Sequence, residues 1–351
     1  MTGGASPAAM VAAAPAAARR GFHPLRVQRV IRETREARSI VFEVPAGLAG
    51  IFAYEAGQFI TIRALLDGES HLRSYSMSSS PAVDAELQVT VKRVPGGLIS
   101  NWLNDAVGEG DVLEVTPPGG SFVLGPGGHD IVAFAAGSGI TPVFSILKTS
   151  LAATGRRARL LYANSDRAAA IFGDELDALA ARYPGRLAVE HHEDLARGFI
   201  DRDEVTRVAR NAGDAAYYIC GPGGFMETVE AGLRDLRVDQ SMVHIERFTP
   251  AGEPPEAAPA DGGTVIIRLG GKTVRASHRR GSTLLQTARS VGLRAPSSCE
   301  AGTCATCMAR VTRGHAVMRN NEALTADEVA EGWVLTCQAV PAAPVVEVAY
   351  E

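Results

Sequence analysis

The stretch Ser297–Cys307, SSCEAGTCATC, decides the nature of the C-terminal part of this chain. It holds three of the five cysteines of the 351-residue sequence. Such a group of thiols has three ordinary explanations, which are a disulfide framework, a structural zinc site, or ligands for a group that carries electrons. An odd cysteine count in a long chain argues against a secreted disulfide framework, so the cytoplasm is the expected compartment.

The spacing of the cysteines separates the two remaining explanations. A structural zinc site usually uses two closely spaced pairs, whereas only one such pair is present here. The gaps are four, two and 29 residues, which is the ligand pattern of a plant-type [2Fe–2S] cluster. Small residues in the loop would let backbone N–H groups approach the cluster sulfurs. The predicted thiolate ligands are Cys299, Cys304, Cys307 and Cys337.

Outside this stretch, the sequence patterns divide the chain into several domains, which predicts a multidomain protein. Residues 262–351 combine strand patterns with one helix pattern and contain four of the five cysteines, which predicts a compact β-rich α+β domain. Residues 249–261 are rich in Pro, Ala, Glu and Gly and are expected to be a linker. Residues 127–248 alternate strand and helix patterns, which indicates an α/β domain with a parallel sheet. Residues 23–126 show short strands punctuated by Gly and Pro, typical of an antiparallel β-barrel. The Ala-rich residues 1–22 are expected to be a disordered extension.

Charge and hydropathy exclude several classes of partner. The formal net charge is −4, which gives no indication of nucleic-acid binding. No apolar run reaches the roughly eighteen residues of a membrane-spanning helix, so none is predicted.

The pair His191–His192, followed by two acidic residues, looks like a metal site. Adjacent residues on a strand point to opposite faces, so this pair is not expected to share an ion.

Four motifs follow one another along the chain. They are Arg73-Ser-Tyr-Ser76 in the barrel, Gly137-Ser-Gly-Ile-Thr-Pro142 between a strand and a helix, Cys220-Gly-Pro222 at a strand end, and the cysteine loop. In this order they resemble the ferredoxin–NADP reductase superfamily, and more narrowly the oxygenase reductases with a C-terminal plant-type [2Fe–2S] domain. The resemblance implies a β-grasp-like α+β ferredoxin domain for residues 262–351. Each motif is weak evidence alone, and the combination is specific.

The resemblance implies an FAD site in the barrel. Arg73 is expected to pair with the pyrophosphate, for which its planar fork is suited. Tyr75 is expected to pack on the flavin, and Ser76 to reach towards N5, the atom that accepts hydride. A helix beginning near Ser100 would direct its N–H groups at a second phosphate. The other expected FAD-binding residues are Ser74, Gly96, Gly97 and Asn101.

The resemblance also implies a nicotinamide site in the α/β domain. The glycines of the Gly137–Pro142 loop would admit the dinucleotide phosphates. Cys220 is expected beside the nicotinamide C4, and Glu246 and Phe248 near the flavin. The expected catalytic residues are therefore Ser76, Cys220 and Glu246. The expected coenzyme-binding residues are Gly137, Ser138, Gly139, Thr141, Pro142, Cys220, Gly221, Pro222, Met226 and Phe248.

Coenzyme choice depends on the residues that follow the second strand of the α/β domain. There an acidic residue favours a free ribose 2′-OH, and a basic one favours a 2′-phosphate. Asp166 and Arg167 stand side by side in this chain. Many relatives have arginine where this chain has Ser165. NADH is the expected coenzyme, with NADPH as the alternative.

The implied activity is electron transfer from NAD(P)H through FAD and the cluster to a terminal oxygenase. The segments RSIVFEVP (38–45) and RSYSMSSSP (73–81) most resemble reductases of 3-ketosteroid 9α-hydroxylases, which have a Rieske-type oxygenase. The reductase of a phenylacetyl-CoA-type di-iron oxygenase is the alternative. A redox sensor without turnover is a third hypothesis, and the complete set of flavin and nicotinamide motifs argues against it.

Overall fold

The computed structural model describes residues 21–210, 212–248, 263–297, 300, 302, 305–321 and 323–350. The expected linker, and the expected N-terminal extension up to residue 20, lie outside these described residues. The proposed domain boundaries stay predictions. Within the described ranges, no helix has both the length and the apolar character needed to cross a membrane.

Six antiparallel strands form the first sheet. They are β1 (His23–Arg32), β2 (Ala37–Glu43), β3 (Phe59–Leu66), β4 (Glu69–Ser76), β5 (Leu87–Lys92) and β6 (Val112–Val115). Their order is β4-β3-β6-β1-β2-β5, and a bridge between Met77 and Val89 joins the two edges. Buried side chains such as Leu25, Val27 and Ile62 fill the interior. The predicted antiparallel barrel is confirmed.

A short helix, α1 (Leu98–Asp105), follows β5. A helix was expected to begin near Ser100, and the structure has it with Gly97 as the N-cap and Leu98 as the first helical residue. Ser100 lies inside the first turn, where its Oγ accepts a hydrogen bond from the Val94 N–H at 3.1 Å. This bond holds the preceding Pro-Gly-Gly turn against the first turn of the helix.

Five parallel strands form the second sheet, with helices between them. The strands are β7 (Asp130–Ala136), β8 (Ala158–Asn164), β9 (Leu187–Glu193), β10 (Ala215–Cys220) and β11 (Val243–Glu246). The helices are α2 (Ile140–Ala153), α3 (Gly173–Arg182), α4 (Asp194–Arg197), α5 (Arg202–Ala209) and α6 (Gly223–Asp235). The order is β11-β10-β7-β8-β9, with β7 at the centre.

Both faces of this second sheet are covered, which explains the continuous apolar run of β7. Ala133 and Ala135 pack in the hydrophobic cluster on the α2 and α3 side. Val132 and Phe134 pack in the cluster on the α5 and α6 side. A parallel sheet that is buried on both faces reads as an uninterrupted apolar segment rather than as an alternating one. The predicted α/β domain is confirmed.

The third unit is a small mixed sheet with two short helices. The strands are β12 (Thr264–Leu269), β13 (Lys272–Ser277), β14 (Met308–Arg313), β15 (Ala316–Met318), β16 (Trp333–Leu335), β17 (Ala339–Pro341) and β18 (Val345–Ala349), and the helices are α7 (Leu284–Ser290) and α8 (Ala326–Ala330). The main order is β13-β12-β18-β14-β16, and only the central β12–β18 pair is parallel. Leu284 and Leu285 of α7 belong to the hydrophobic cluster of this unit. This is the predicted β-rich α+β arrangement.

Candidate flavin, nicotinamide and iron–sulfur sites

The expected flavin motif occupies the end of β4, at the edge of the barrel. Tyr75 pairs with Ile60 of β3, and burial raises the pKa of its phenol, which therefore stays protonated. Ser76 is buried. Arg73 is exposed, and its guanidinium donates to the Leu72 carbonyl at 2.7 Å. The strand thus offers a neutral ring, a hydroxyl and an exposed cation, the groups needed for a flavin and its pyrophosphate.

The turn before α1 is shaped as a close-fitting cradle. A Cβ on Gly97 would lie 2.7 Å from the Oγ of Ser100, so only glycine fits this position while that hydroxyl caps Val94. Asn101 donates from its side chain to the Val94 carbonyl at 3.3 Å. The first-turn N–H groups of α1 have no intrahelical acceptor, which makes this helix start a suitable place for a phosphate.

The expected nicotinamide loop follows β7 directly. Residues 137–139 form one 3-10 turn, and Thr141 and Pro142 lie in the first turn of α2. A Cβ on Gly139 would come within 2.1 Å of the Cys220 carbonyl oxygen. The absence of a side chain at Gly139 is therefore what lets this loop touch the end of β10. Two motifs separated by about eighty residues in the sequence therefore meet at the carboxyl ends of β7 and β10.

Cys220 ends β10 between two neighbouring strands. It lies beside Ala135 of β7 on one side and Glu246 of β11 on the other. Burial, and secondarily the nearby Glu246 carboxylate, raises the pKa of the Cys220 thiol well above its usual range. The thiol is therefore neutral at physiological pH. Phe248 follows β11 and is exposed.

Met226, an expected coenzyme-binding residue, lies on α6. Its side chain is buried in the hydrophobic cluster between the sheet and α6. The residues before it follow the carboxyl end of β10, where Pro222 is the N-cap of α6. The structure therefore assigns Met226 a packing role, and its contact with the coenzyme stays a prediction.

The barrel and the second sheet are joined next to these motifs. Ser145 of α2 donates to the Ser79 carbonyl at 2.5 Å, three residues after the flavin motif. The hydroxyl oxygens of Ser80 and Thr149 are 2.6 Å apart and share a hydrogen bond. The flavin strand and the helix that follows the nicotinamide loop are thus held together by buried or partly buried hydrogen bonds.

Two of the four predicted cluster ligands, Cys307 and Cys337, lie within the described residues, whereas Cys299 and Cys304 lie outside them. Cys307 and Cys337 are both buried, and the Cys337 N–H donates to the Cys307 sulfur at 3.5 Å. The buried hydroxyl oxygen of Thr306 finds no hydrogen-bond partner in the described part of the chain. An unpaired buried hydroxyl beside two adjacent thiols fits a site built for a cluster whose sulfurs accept hydrogen bonds.

Side chains of the third unit hold the segment that precedes Cys307. Arg289 of α7 forms a two-pronged ion pair with Glu300, and its guanidinium also donates to the Ser297 hydroxyl at 2.9 Å. Gln338 donates to the Glu300 carbonyl at 2.6 Å. A Cβ on Gly302 would lie 2.9 Å from the Asn320 carbonyl oxygen, so the loop passes close to a neighbouring segment.

Comparison with known proteins agrees with this three-part geometry. Family models for an oxidoreductase FAD-binding domain, an oxidoreductase NAD-binding domain and a 2Fe-2S iron-sulfur cluster binding domain match residues 24–124, 134–231 and 267–342. The ferredoxin reductase component of 3-ketosteroid-9-alpha-monooxygenase from Rhodococcus rhodochrous is 40% identical over 328 residues, which is 90% of this chain and 93% of that protein.

Two further relatives cover the whole arrangement. One subunit of the 1,2-phenylacetyl-CoA epoxidase of Escherichia coli K12 is 33% identical over 91% of this chain and 95% of its own length. The solved structure of phthalate dioxygenase reductase has a TM-score of 0.62 at 26% identity, over 94% of this chain and 98% of that one. The chain belongs to the ferredoxin–NADP reductase superfamily, among the oxygenase reductases with a C-terminal [2Fe–2S] domain.

This oxygenase reductase has a cation beside its nicotinamide loop that the sequence patterns did not reveal. Lys92 ends β5 of the barrel, and its Nζ would lie 3.2 Å from a Cβ placed on Gly137. The ammonium group therefore reaches across from the FAD-binding domain to the NAD-binding domain. No local signal could have identified it, because Lys92 and Gly137 are far apart in the sequence and meet only through the packing of the two domains.

The histidine pair of the oxygenase reductase is split as predicted. His191 faces Arg167 and Asp177, whereas His192 is buried and lies near Glu204 at 3.3 Å. Among the described residues no group of three or more His, Cys, Asp or Glu is arranged to hold a metal ion. The two rings therefore serve two different faces of β9.

Proposed function

We propose that this chain is the reductase component of a 3-ketosteroid 9α-monooxygenase and carries electrons from NADH through FAD and the [2Fe–2S] cluster to a terminal oxygenase. The observation that carries the electron path is the junction beside the nicotinamide loop, where Ser145 of α2 donates to the Ser79 carbonyl and Lys92 of the barrel reaches Gly137. Hydride transfer needs its two cofactors in contact, and this junction brings the flavin motif and the nicotinamide loop together. Similarity over nearly the full length of the Rhodococcus reductase supports the steroid assignment.

When bound, FAD accepts two electrons as hydride and passes them on singly, and the cluster carries one at a time. The chain's own residues position these groups. Ser76 is proposed to orient the flavin N5 and Tyr75 to support its ring, while Arg73 and the start of α1 hold the phosphates. The neutral thiol of Cys220 would pack beside the nicotinamide without adding charge, with Glu246 next to it.

The phosphates of the nicotinamide coenzyme are proposed to lie against the Gly137–Pro142 loop. There the start of α2 offers N–H groups, and Lys92 offers a positive charge. A cation shared between the FAD-binding and NAD-binding domains would favour the closed pairing of flavin and nicotinamide. This role explains why a barrel residue lies against the nucleotide loop.

The third unit is proposed to hold the cluster through Cys299, Cys304, Cys307 and Cys337. Thiolate ligands require reduced cysteines, which supports the cytoplasm as the compartment. Hydrogen bonds from Thr306 and from the Cys337 N–H would stabilise added negative charge on the sulfurs. Such bonds raise the reduction potential of a cluster and make it a better acceptor of electrons from NADH.

The terminal oxygenase has two candidate identities. The Escherichia coli relative belongs to a 1,2-phenylacetyl-CoA epoxidase, so a di-iron oxygenase is the second candidate partner. Reconstitution separates the two. The purified chain and NADH are mixed with the oxygenase component of a 3-ketosteroid 9α-monooxygenase, or with the oxygenase component of the epoxidase, and product is measured. Faster turnover with the steroid oxygenase supports the assignment; turnover only with the epoxidase contradicts it.

A further inference from the structure

Beyond the end of β8, one arginine is held by several acidic and titratable side chains. Arg167 donates to Asp174 at 2.9 Å and to Asp177 at 2.5 Å through the same nitrogen. Its other terminal nitrogen lies 2.8 Å from Nε2 of His191. His191 in turn lies 3.0 Å from Asp177, which closes the network. Both terminal nitrogens of this guanidinium are therefore already in use.

Local structure fixes the arginine in this position. Asp166 is the N-cap of a 3-10 turn, and its Oδ1 accepts the Ala169 N–H at 2.9 Å. The turn directs Arg167 towards the start of α3. There a Cβ on Gly173 would lie only 3.1 Å from the guanidinium carbon, so the missing side chain leaves room for the cation. Asp174 and Asp177 are three residues apart on α3 and face the same way.

The location matters because the carboxyl end of the second strand is where nucleotide-binding sheets distinguish the two nicotinamide coenzymes. An arginine there normally accommodates the 2′-phosphate of NADPH. Here one positive charge stands among three carboxylates, those of Asp166, Asp174 and Asp177, which leaves a net charge of about −2. A phosphate would have to displace two carboxylates from the guanidinium and then lie beside them.

We propose that Asp174 and Asp177 are specificity-determining residues that make the site reject NADPH, because they hold Arg167 away from a 2′-phosphate. The inference rests on the proposed use of NADH and adds the physical reason for it. Arg167 by itself would favour NADPH, and its two carboxylate partners reverse that preference. His191 contributes by holding Asp177 in place.

The test is the Asp174→Asn/Asp177→Asn double variant. Both side chains are exposed, at 99% and 55%, so the change leaves the hydrophobic core intact. The ratio of kcat/KM for NADPH to that for NADH, with ferricyanide as acceptor, is expected to rise at least about tenfold through a lower KM for NADPH. Binding of adenosine 2′,5′-bisphosphate, measured by calorimetry, should tighten relative to 5′-AMP.

Two further variants make the result specific. Arg167→Ala added to the double variant should remove the gain, because the released guanidinium is its cause. Glu190→Gln removes one carboxylate from the separate Arg207–Glu190 ion pair and should leave the coenzyme ratio unchanged.

The inference is overturned if the ratio of kcat/KM for NADPH to that for NADH is unchanged in the double variant, even where both values fall together. A gain that survives Arg167→Ala would overturn it as well. A wild-type protein that already prefers NADPH would instead show that the proposed coenzyme is wrong, and that result is read from the wild type alone.

Discussion

Two of the contacts between domains in the described part of this protein are built differently. Between the barrel and the second sheet, Tyr218 is fully buried, accepts the Gly125 N–H at 3.0 Å and donates to the Val123 carbonyl at 3.2 Å. Between the barrel and the third unit, the described contact is an ion pair of Glu69 with Arg294, whose side chains are 50% and 79% exposed. In the described residues, the contact at the first junction is buried, and the contact at the second is charged and open to water.

The difference follows from the chemistry that each junction must support. Hydride transfer requires near-contact of the reacting atoms, and a misplacement of about 1 Å can cost about a hundredfold in rate. Passing single electrons to a cluster and then to a partner tolerates domain motion, and polar interfaces permit it. We therefore expect changes at the first junction to affect flavin reduction strongly, and changes at the second to affect only later steps.

The largest effect is expected from Gly139→Ala. The new methyl group would come 2.1 Å from the Cys220 carbonyl oxygen and push the two nicotinamide loops apart. The rate of flavin reduction by NADH, measured by stopped flow, should fall about a hundredfold or more. Gly155→Ala is the matched control in the same domain, since a methyl group there meets open space. Equal rates in the two variants would show that the contact is not required.

Cys337→Ala tests whether loss of the cluster leaves flavin reduction intact. Loss of one thiolate should remove the visible absorbance of the cluster and most cytochrome c reduction, since a plant-type cluster needs four ligands. Flavin reduction by NADH should change less than about twofold, because the packed junction is untouched. A large fall in flavin reduction would mean that the third unit also organises the hydride site.

Tyr218→Phe tests the packed junction by its stability. The substitution leaves the Gly125 N–H and the Val123 carbonyl without their partner in a buried place, which should cost about 1–3 kcal/mol of unfolding free energy. Thermal or urea unfolding of the flavin-loaded protein measures it. Tyr183→Phe is the control. If Tyr218→Phe lowers the unfolding free energy no more than Tyr183→Phe does, the two hydrogen bonds of Tyr218 do not stabilise the junction.

The smallest effect is expected at the exposed ion pair. Arg294→Gln should leave the unfolding free energy unchanged, because exposed pairs contribute little and are screened by salt. Cytochrome c reduction should fall less than about twofold and lose part of its dependence on ionic strength. Exchanging the charges, Glu69→Arg with Arg294→Glu, should restore that dependence. A strong loss of stability would mean that the second junction is tighter than its exposure indicates.

Much of this organisation could be predicted from the sequence. Strand alternation, the helix patterns and the cysteine spacing depend on neighbouring residues, so barrel, parallel sheet and ferredoxin-like unit were predicted correctly. The helix expected near Ser100 begins at Leu98, whereas the hydrogen bond from the Val94 N–H to the Ser100 Oγ is a local detail that the sequence pattern does not specify. Met226 was expected at the coenzyme, although its helical spacing also fits the core that it occupies.

Features that depend on contacts between distant segments could not be predicted. The approach of Gly139 to Cys220, of Lys92 to Gly137, and the enclosure of Arg167 all arise from tertiary packing. In the sequence, Asp166 and Arg167 stand side by side with opposite implications for the coenzyme. Only the structure shows that the arginine is already paired, which turns an ambiguous motif into a testable preference.

The most direct test of the electron path is an anaerobic titration of the purified protein with NADH, followed in the visible spectrum. If electrons pass from NADH through the flavin to the cluster, both flavin and cluster absorbance should bleach, with about three electrons taken up per chain. Bleaching of the flavin alone, with the cluster left oxidised at excess NADH, would contradict this electron path.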